Sequence, residues 1–130
     1  MNDEPLLSLA REATDDALVP YSEFRVGAAL LTDGGETYTG ANLEVSNYSN
    51  SLHAEEVAVA RALMDGAASF EAVAVASSEP DLITPCGMCR QTLAEFCSPG
   101  LRVVCEADDG TRTFTLGDLL PAAFDGDGLP

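Results

Sequence analysis

Leu52-His53-Ala54-Glu55-Glu56 and Thr84-Pro85-Cys86-Gly87-Met88-Cys89-Arg90-Gln91 hold the densest reactive chemistry of the chain. Each also marks the start of a helix. His53 to Met64 is the first, with Val57, Ala60, Arg61 and Met64 at helical spacing and Gly66 as its stop. Cys86 to Cys97 is the second. Pro85 sits where a helix can begin without losing a hydrogen bond, and Pro99-Gly100 closes it. Between them Glu71–Ser77 (EAVAVAS) reads as a buried strand, and Arg102–Ala107 supplies another after the second helix. Strand–helix–strand units require right-handed crossovers. Both helices then start at the same end of one sheet, where residues distant in sequence can converge.

Outward from this centre, Arg25–Thr32 (RVGAALLT) reads as a buried strand. Asp33-Gly34-Gly35 is a hairpin turn, and Glu36–Asn42 is its second strand. Residues 43–52 and 78–84 are loops. Residues 4–19 form an amphipathic helix with Leu6, Leu9, Ala10, Ala13 and Ala17 on one face, stopped by Pro20. Asp108-Asp109-Gly110 turns the chain into a fifth strand, Thr111–Leu116, followed by a last helix, Asp118–Phe124. The expected fold is α/β, three layers (α/β/α) around a mixed five-stranded sheet. Residues 1–130 are read as one domain with residues 1–3 and 125–130 frayed; no linker or repeat divides it.

Twenty-two acidic residues face six basic ones, a net charge of −16, and all six basic residues are arginine. Such imbalance destabilises a compact chain by self-repulsion. Salt relieves it, because the Debye length falls from about 10 Å at ~0.1 M to about 3 Å at ~1 M. The missing lysines and the even spread of Asp and Glu favour a salt-rich cytoplasm. No basic stripe exists to neutralise phosphates, so a polynucleotide substrate is disfavoured. The acidic start lacks a signal peptide's positive region, and no apolar run approaches a membrane span of roughly 20 residues. In a reducing cytoplasm the four cysteines point to metal or catalysis before disulfides.

Zinc favours sulfur and imidazole ligands, and a catalytic site takes three of them and leaves the fourth position for water. Cys86 and Cys89, three apart at a helix start, can both reach one ion. The helix N-terminus favours their thiolate forms. His53 is the third candidate ligand. Glu55 can approach a metal-bound water, whose pKa falls to roughly 7, without itself coordinating. Two thiolates balance one Zn²⁺, and a neutral imidazole leaves the centre uncharged.

The H-x-E…P-C-x-x-C pattern is the signature of zinc-dependent deaminases. Three further segments extend the likeness. Pro20 to Leu30 (PYSEFRVGAAL) resembles the opening signature of cytidine deaminases. Gly40-Ala41-Asn42-Leu43-Glu44 resembles that family's ribose-binding segment, and Leu119 to Phe124 (LLPAAF) its C-terminal signature. Together they span nearly the whole chain and point to the small homotetrameric branch. The resemblance implies one zinc per subunit and hydrolysis of cytidine or deoxycytidine to the uridine with release of ammonia, in pyrimidine salvage. It implies that Glu55 moves the protons. Asn42 and Glu44 would bond the ribose hydroxyls, Phe24 would line the nucleoside pocket, and the Ala54 backbone would hold the pyrimidine. Phe124 would cover the base of a neighbouring subunit. In one respect the chain departs: many small tetrameric members carry a third cysteine at the place of His53 and an arginine at that of Glu56. The two changes agree physically, since a third thiolate calls for a nearby cation and histidine does not. The dimeric branch also uses histidine there.

Other readings compete. His53, the one histidine, would alone be read as a capping or core residue, and Glu55 as a solvated helix-start acid. Glu56 is read as surface or structural. Cys86 and Cys89 could form a redox pair. Cys97 and Cys105 are read as buried small hydrophobes, though all four cysteines could close a structural zinc site in a non-catalytic module. A related deaminase acting on a nucleotide, a nucleoside antibiotic or an RNA base shares the metal chemistry, and Met88 stands in an arrangement also seen in RNA adenosine deaminases.

Overall fold

The computed structural model describes residues 1–79 and 81–129. Pro80, in the expected 78–84 loop, and Pro130, in the expected frayed tail, lie outside the described residues. The chain runs α1 (Asp3–Ala13), β1 (Val26–Thr32), β2 (Thr37–Ala41), α2 (Ala54–Met64), β3 (Phe70–Ser77), α3 (Gly87–Phe96), β4 (Arg102–Ala107), β5 (Gly110–Thr115) and α4 (Leu116–Leu119). Short 3-10 turns cover Thr14–Asp16, Tyr48–Asn50 and Gly126–Gly128.

The five strands form one mixed sheet in the order β2-β1-β3-β4-β5. Only β3 and β4 pair in parallel, with Val73 opposite Val103. β1 is antiparallel to both β2 and β3, so those two run the same way. α2 follows β2 and α3 follows β3, so both helices begin beyond the same end of the sheet, as the crossover argument requires.

The apolar runs of β1, β3 and β4 are continuous because both faces of the sheet are covered. Ala28, Leu30, Val73, Val103 and Cys105 face one side, where Ala58, Val59 and Ala62 of α2 and Leu93 of α3 meet them. Ala29, Leu31, Ala72, Ala74, Ala76 and Val104 face the other, against Leu6, Leu7 and Ala10 of α1. Three layers result. Two glycines set how closely the helices approach. A Cβ on Gly27 would stand 2.1 Å from the Ala10 carbonyl oxygen, and one on Gly40 would stand 2.3 Å from the Ala54 carbonyl oxygen and 2.5 Å from the Ala58 nitrogen.

Three departures from expectation go beyond a one-residue shift of a boundary. The first helix ends at Ala13, not 19. Beyond it Leu18 pairs as a short bridge with Leu43, its N–H donating to the Asn42 carbonyl at 3.0 Å while Glu44 N–H donates back at 2.8 Å. Arg25 Nη1 takes up the Thr14 and Ala17 carbonyls at 3.2 and 3.0 Å. These tertiary bonds outweigh the helical periodicity. The second difference is at Pro85, which is not the first helical residue. Cys86 is the N-cap of α3, and Pro85 lies buried ahead of it. Third, the last helix is a single turn, Leu116–Leu119, not Asp118–Phe124. Pro121 lacks the N–H a longer helix needs, and Ala122 takes the left-handed conformation at φ 52°.

Candidate metal centre and active site

His53 is the N-cap of α2 in an extended backbone conformation. Its N–H donates to Glu56 Oε1 at 2.9 Å, the return half of a capping box that fixes the residue from below. Cys86 caps α3 and Cys89 lies in its first turn. The imidazole Nδ1 stands 3.2 Å from Cys89 Sγ and 3.3 Å from Cys86 Sγ. All three donor atoms fall within 4.8 Å of one another. Zinc bonds of about 2.3 Å to sulfur and about 2.0–2.1 Å to nitrogen put tetrahedral neighbours about 3.5–3.8 Å apart. The observed imidazole–thiol separations are slightly tighter, a difference that small side-chain rotations absorb.

The chemistry of this donor set also fits a cation. Burial pushes the Cys89 thiol well above its ordinary value, and the neighbouring Glu55 and Cys86 push it further. Burial likewise raises the Glu55 carboxyl, partly offset by its own backbone N–H and by His53. Two thiols and a carboxyl crowd together with no lysine or arginine in the cavity wall. A divalent cation reverses that pressure, since a coordinating thiol is deprotonated outright.

Beside the donors lies a cavity of about 260 Å³ lined by Phe24, Val26, Asn42, His53, Ala54, Glu55, Ile83, Thr84 and Cys86. Glu55, only 5 % exposed, and Ala54, fully buried, bring the first turn of α2 to its wall. Asn42 reaches it from the end of β2. Its Oδ1 accepts Val26 N–H at 2.9 Å and its Nδ2 donates to the Phe24 carbonyl at 2.9 Å. One N–H and one lone pair of the amide remain for a ligand. These same bonds hold Phe24 at the rim.

Two expected substrate residues are not in this wall. Glu44 lies in a neighbouring hollow with Pro20, Glu23 and Arg25. One of its carboxylate oxygens accepts Tyr21 N–H at 3.1 Å and Ser22 N–H at 3.0 Å. The Ser22 hydroxyl and these backbone donors hold its carboxyl below the usual range. Phe124 is 66 % exposed and lies beside α3, where its carbonyl accepts Gln91 Nε2 at 2.9 Å.

Val26, Ile83 and Thr84 line the cavity without having been singled out. Thr84 precedes the Pro-Cys pair directly, and Ile83 is an apolar residue in a polar loop, the one signal the sequence offered. Glu56 proves structural, at the capping-box spacing from His53. Cys97 and Cys105 stand outside the donor group formed by the described residues. Burial pushes both thiols up to about 12, the behaviour of packing residues. A four-thiolate structural site is therefore not built.

Residues 1–106 match the family described as the cytidine and deoxycytidylate deaminase zinc-binding region. The chain is 42 % identical over 125 residues to a cytidine deaminase of Sporosarcina psychrophila, covering 95 % of this chain and 92 % of that one. It is 40 % identical over 121 residues to the cytidine deaminase of Mycobacterium tuberculosis strain H37Rv, covering 93 % and 88 %. The crystal structure of cytidine deaminase from Burkholderia pseudomallei superposes with a TM-score of 0.91 at 39 % identity, covering 95 % of this chain and 100 % of that one. Likeness of sequence over almost the full length, the same three-layer fold and a His-Cys-Cys donor group beside a buried glutamate agree: this chain belongs to the cytidine deaminase family of zinc-dependent enzymes.

Proposed function

We propose that this chain removes the exocyclic amine of cytidine and deoxycytidine by hydrolysis, in pyrimidine salvage. The observation that carries this reading is the buried Glu55 carboxyl in the wall of the cavity that His53 and Cys86 also line. Zinc, one per subunit, held by His53, Cys86 and Cys89, supplies the activation of a water as nucleophile. Glu55 does the proton work. Its carboxylate takes one proton from the attacking water and delivers it to N3 as the oxygen bonds to C4. It then takes the second proton from the C4 hydroxyl and passes it to the amine, so that the C4 carbonyl forms as the C4–N bond breaks and ammonia leaves. Burial keeps the carboxyl's affinity for a proton high, which suits a group that must both accept and donate. Phe24 and the Ala54 backbone flank the pyrimidine. The spare N–H and lone pair of Asn42 meet a ribose hydroxyl, and Glu44, from the adjoining hollow, is the second residue assigned to the ribose.

A cavity of about 260 Å³ suits one small molecule, and the acidic chain disfavours a polynucleotide. Other aminated nucleosides share the chemistry; ammonia release across a substrate panel separates them from cytidine.

The exposed Phe124, which is not in the wall of its own chain's cavity, supports a homotetramer in which each active site is completed by a neighbour. An apolar groove formed by Leu52, Val57, Met64 and Phe96 supplies a face for such contact. No helix among the described residues is long and apolar enough to cross a membrane. Four free cysteines agree with a cytoplasmic location.

The decisive experiment is Glu55→Gln. The variant is expected to retain zinc and to lose at least about 10²-fold in kcat. Near wild-type turnover in the zinc-loaded variant would falsify the assignment of Glu55.

A further inference from the structure

Arg90 follows Cys89 in α3, and its side chain turns back past the helix start. Nε donates to the Pro85 carbonyl at 2.7 Å, Nη2 to Thr84 Oγ1 at 3.1 Å, and Nη1 to the Leu119 carbonyl at 2.8 Å. One half-buried guanidinium thus ties the segment leading into Cys86 to the end of α4. The helix itself does not need these bonds, since Arg90 N–H already closes on the Cys86 carbonyl at 2.9 Å.

The two thiols differ in how they are held. Cys89 is inside α3 and 1 % exposed, so packing and the helix fix it. Cys86 is exposed, sits at the N-cap, and makes no side-chain capping bond. Its place depends on the extended residues before it. Ile83 N–H anchors their far end to the Glu106 carbonyl at 3.1 Å. Arg90 anchors their near end, at Thr84 and Pro85.

We propose that Arg90 is a positioning residue for the metal centre: it fixes Thr84-Pro85 and so keeps Cys86 Sγ within reach of His53 Nδ1 and Cys89 Sγ. The proposal rests on the zinc reading above. Arginine suits the task because its rigid planar fork donates in three directions at once. Lysine offers a single ammonium on a flexible stem and cannot satisfy a carbonyl, a hydroxyl and a second carbonyl from one site.

The test compares wild type, Arg90→Lys, Arg90→Met and Gln91→Leu in the full chain, each loaded with zinc. Gln91→Leu is the control: it frees the Phe124 carbonyl from the same helix but leaves Thr84 and Pro85 alone. Retention is read by competition with a chromophoric chelator, and folding by circular dichroism. Both Arg90 variants are expected to hold zinc about 10–100-fold more weakly, while Gln91→Leu stays within about twofold of wild type. Thr84→Val, which removes one bond of the three, is expected to fall between, and it carries the test should the Arg90 variants not fold. Arg90→Lys or Thr84→Val holding zinc as tightly as wild type overturns the proposal. So does Gln91→Leu losing as much as Arg90→Lys, which would mean a general loosening of α3. A wild type that binds no zinc would instead overturn the zinc reading itself.

Discussion

Glu44 carries its charge to the Tyr21-Ser22 backbone, and its carboxyl is held below the usual range by the Ser22 hydroxyl and the two N–H donors. A carboxylate with a depressed folded pKa contributes stability that is present above its unfolded value of about 4.3 and lost as pH falls through the folded one. The loop ahead of Phe24 should therefore loosen in acid. Amide exchange at Tyr21 and Ser22, corrected for the intrinsic pH dependence, is expected to accelerate below about pH 4. In Glu44→Gln the acceleration should be present already at neutral pH; unchanged exchange there would show that the carboxylate does not hold the loop. The donor group of His53, Cys86 and Cys89 was legible because metal chemistry restricts residue types and spacing so tightly. Glu44 was legible as a special position but not in its own bonds, which go to backbone groups that any residue could offer. For the same reason Arg90 stood unremarked inside a recognised motif: carbonyl partners leave no mark in a sequence.

Gly40 shows what sets the place of a whole helix. Its missing side chain lets β2 come close to the first turns of α2, where the Ala54 carbonyl would lie 2.3 Å from an added Cβ. Backbone cannot yield as a flexible side chain can, so Gly40→Ala must push α2 away and carry Glu55 with it. Overpacking of this kind costs about 1–3 kcal/mol. Urea unfolding is expected to show that loss together with a fall in kcat; a variant of unchanged stability and turnover would mean that α2 is free to shift. The strands and the two central helices were readable from their apolar runs and stops. The end of α1 was not, because Leu18 leaves a helical pattern for a bridge to Leu43 that lies far along the chain. Nor was the brevity of α4, which Pro121 and the left-handed Ala122 enforce.

At the scale of the molecule the net charge of −16 dominates. Arg11 pairs with both Glu4 and Glu106, Arg102 with Asp3 and Glu71, and Arg112 with Asp109. Arg25, Arg61 and Arg90 donate instead to backbone carbonyls. Half of the few cations thus serve the backbone, leaving much of the acidic surface to be screened by solvent ions. We therefore expect the homotetramer proposed above to loosen and the melting temperature to fall in dilute buffer. Sedimentation giving one assembly state from low to multimolar salt would argue against a salt requirement. The charge was plain from composition, but its pairing was not, because Asp3 meets Arg102 only after the sheet has formed. The placement of α1 alone on its side of the sheet has a practical corollary. Ser8 and Glu12 point outward there, so a fluorophore or a surface tether attached at either would sit across the sheet from α2 and α3, the helices whose starts carry the metal donors.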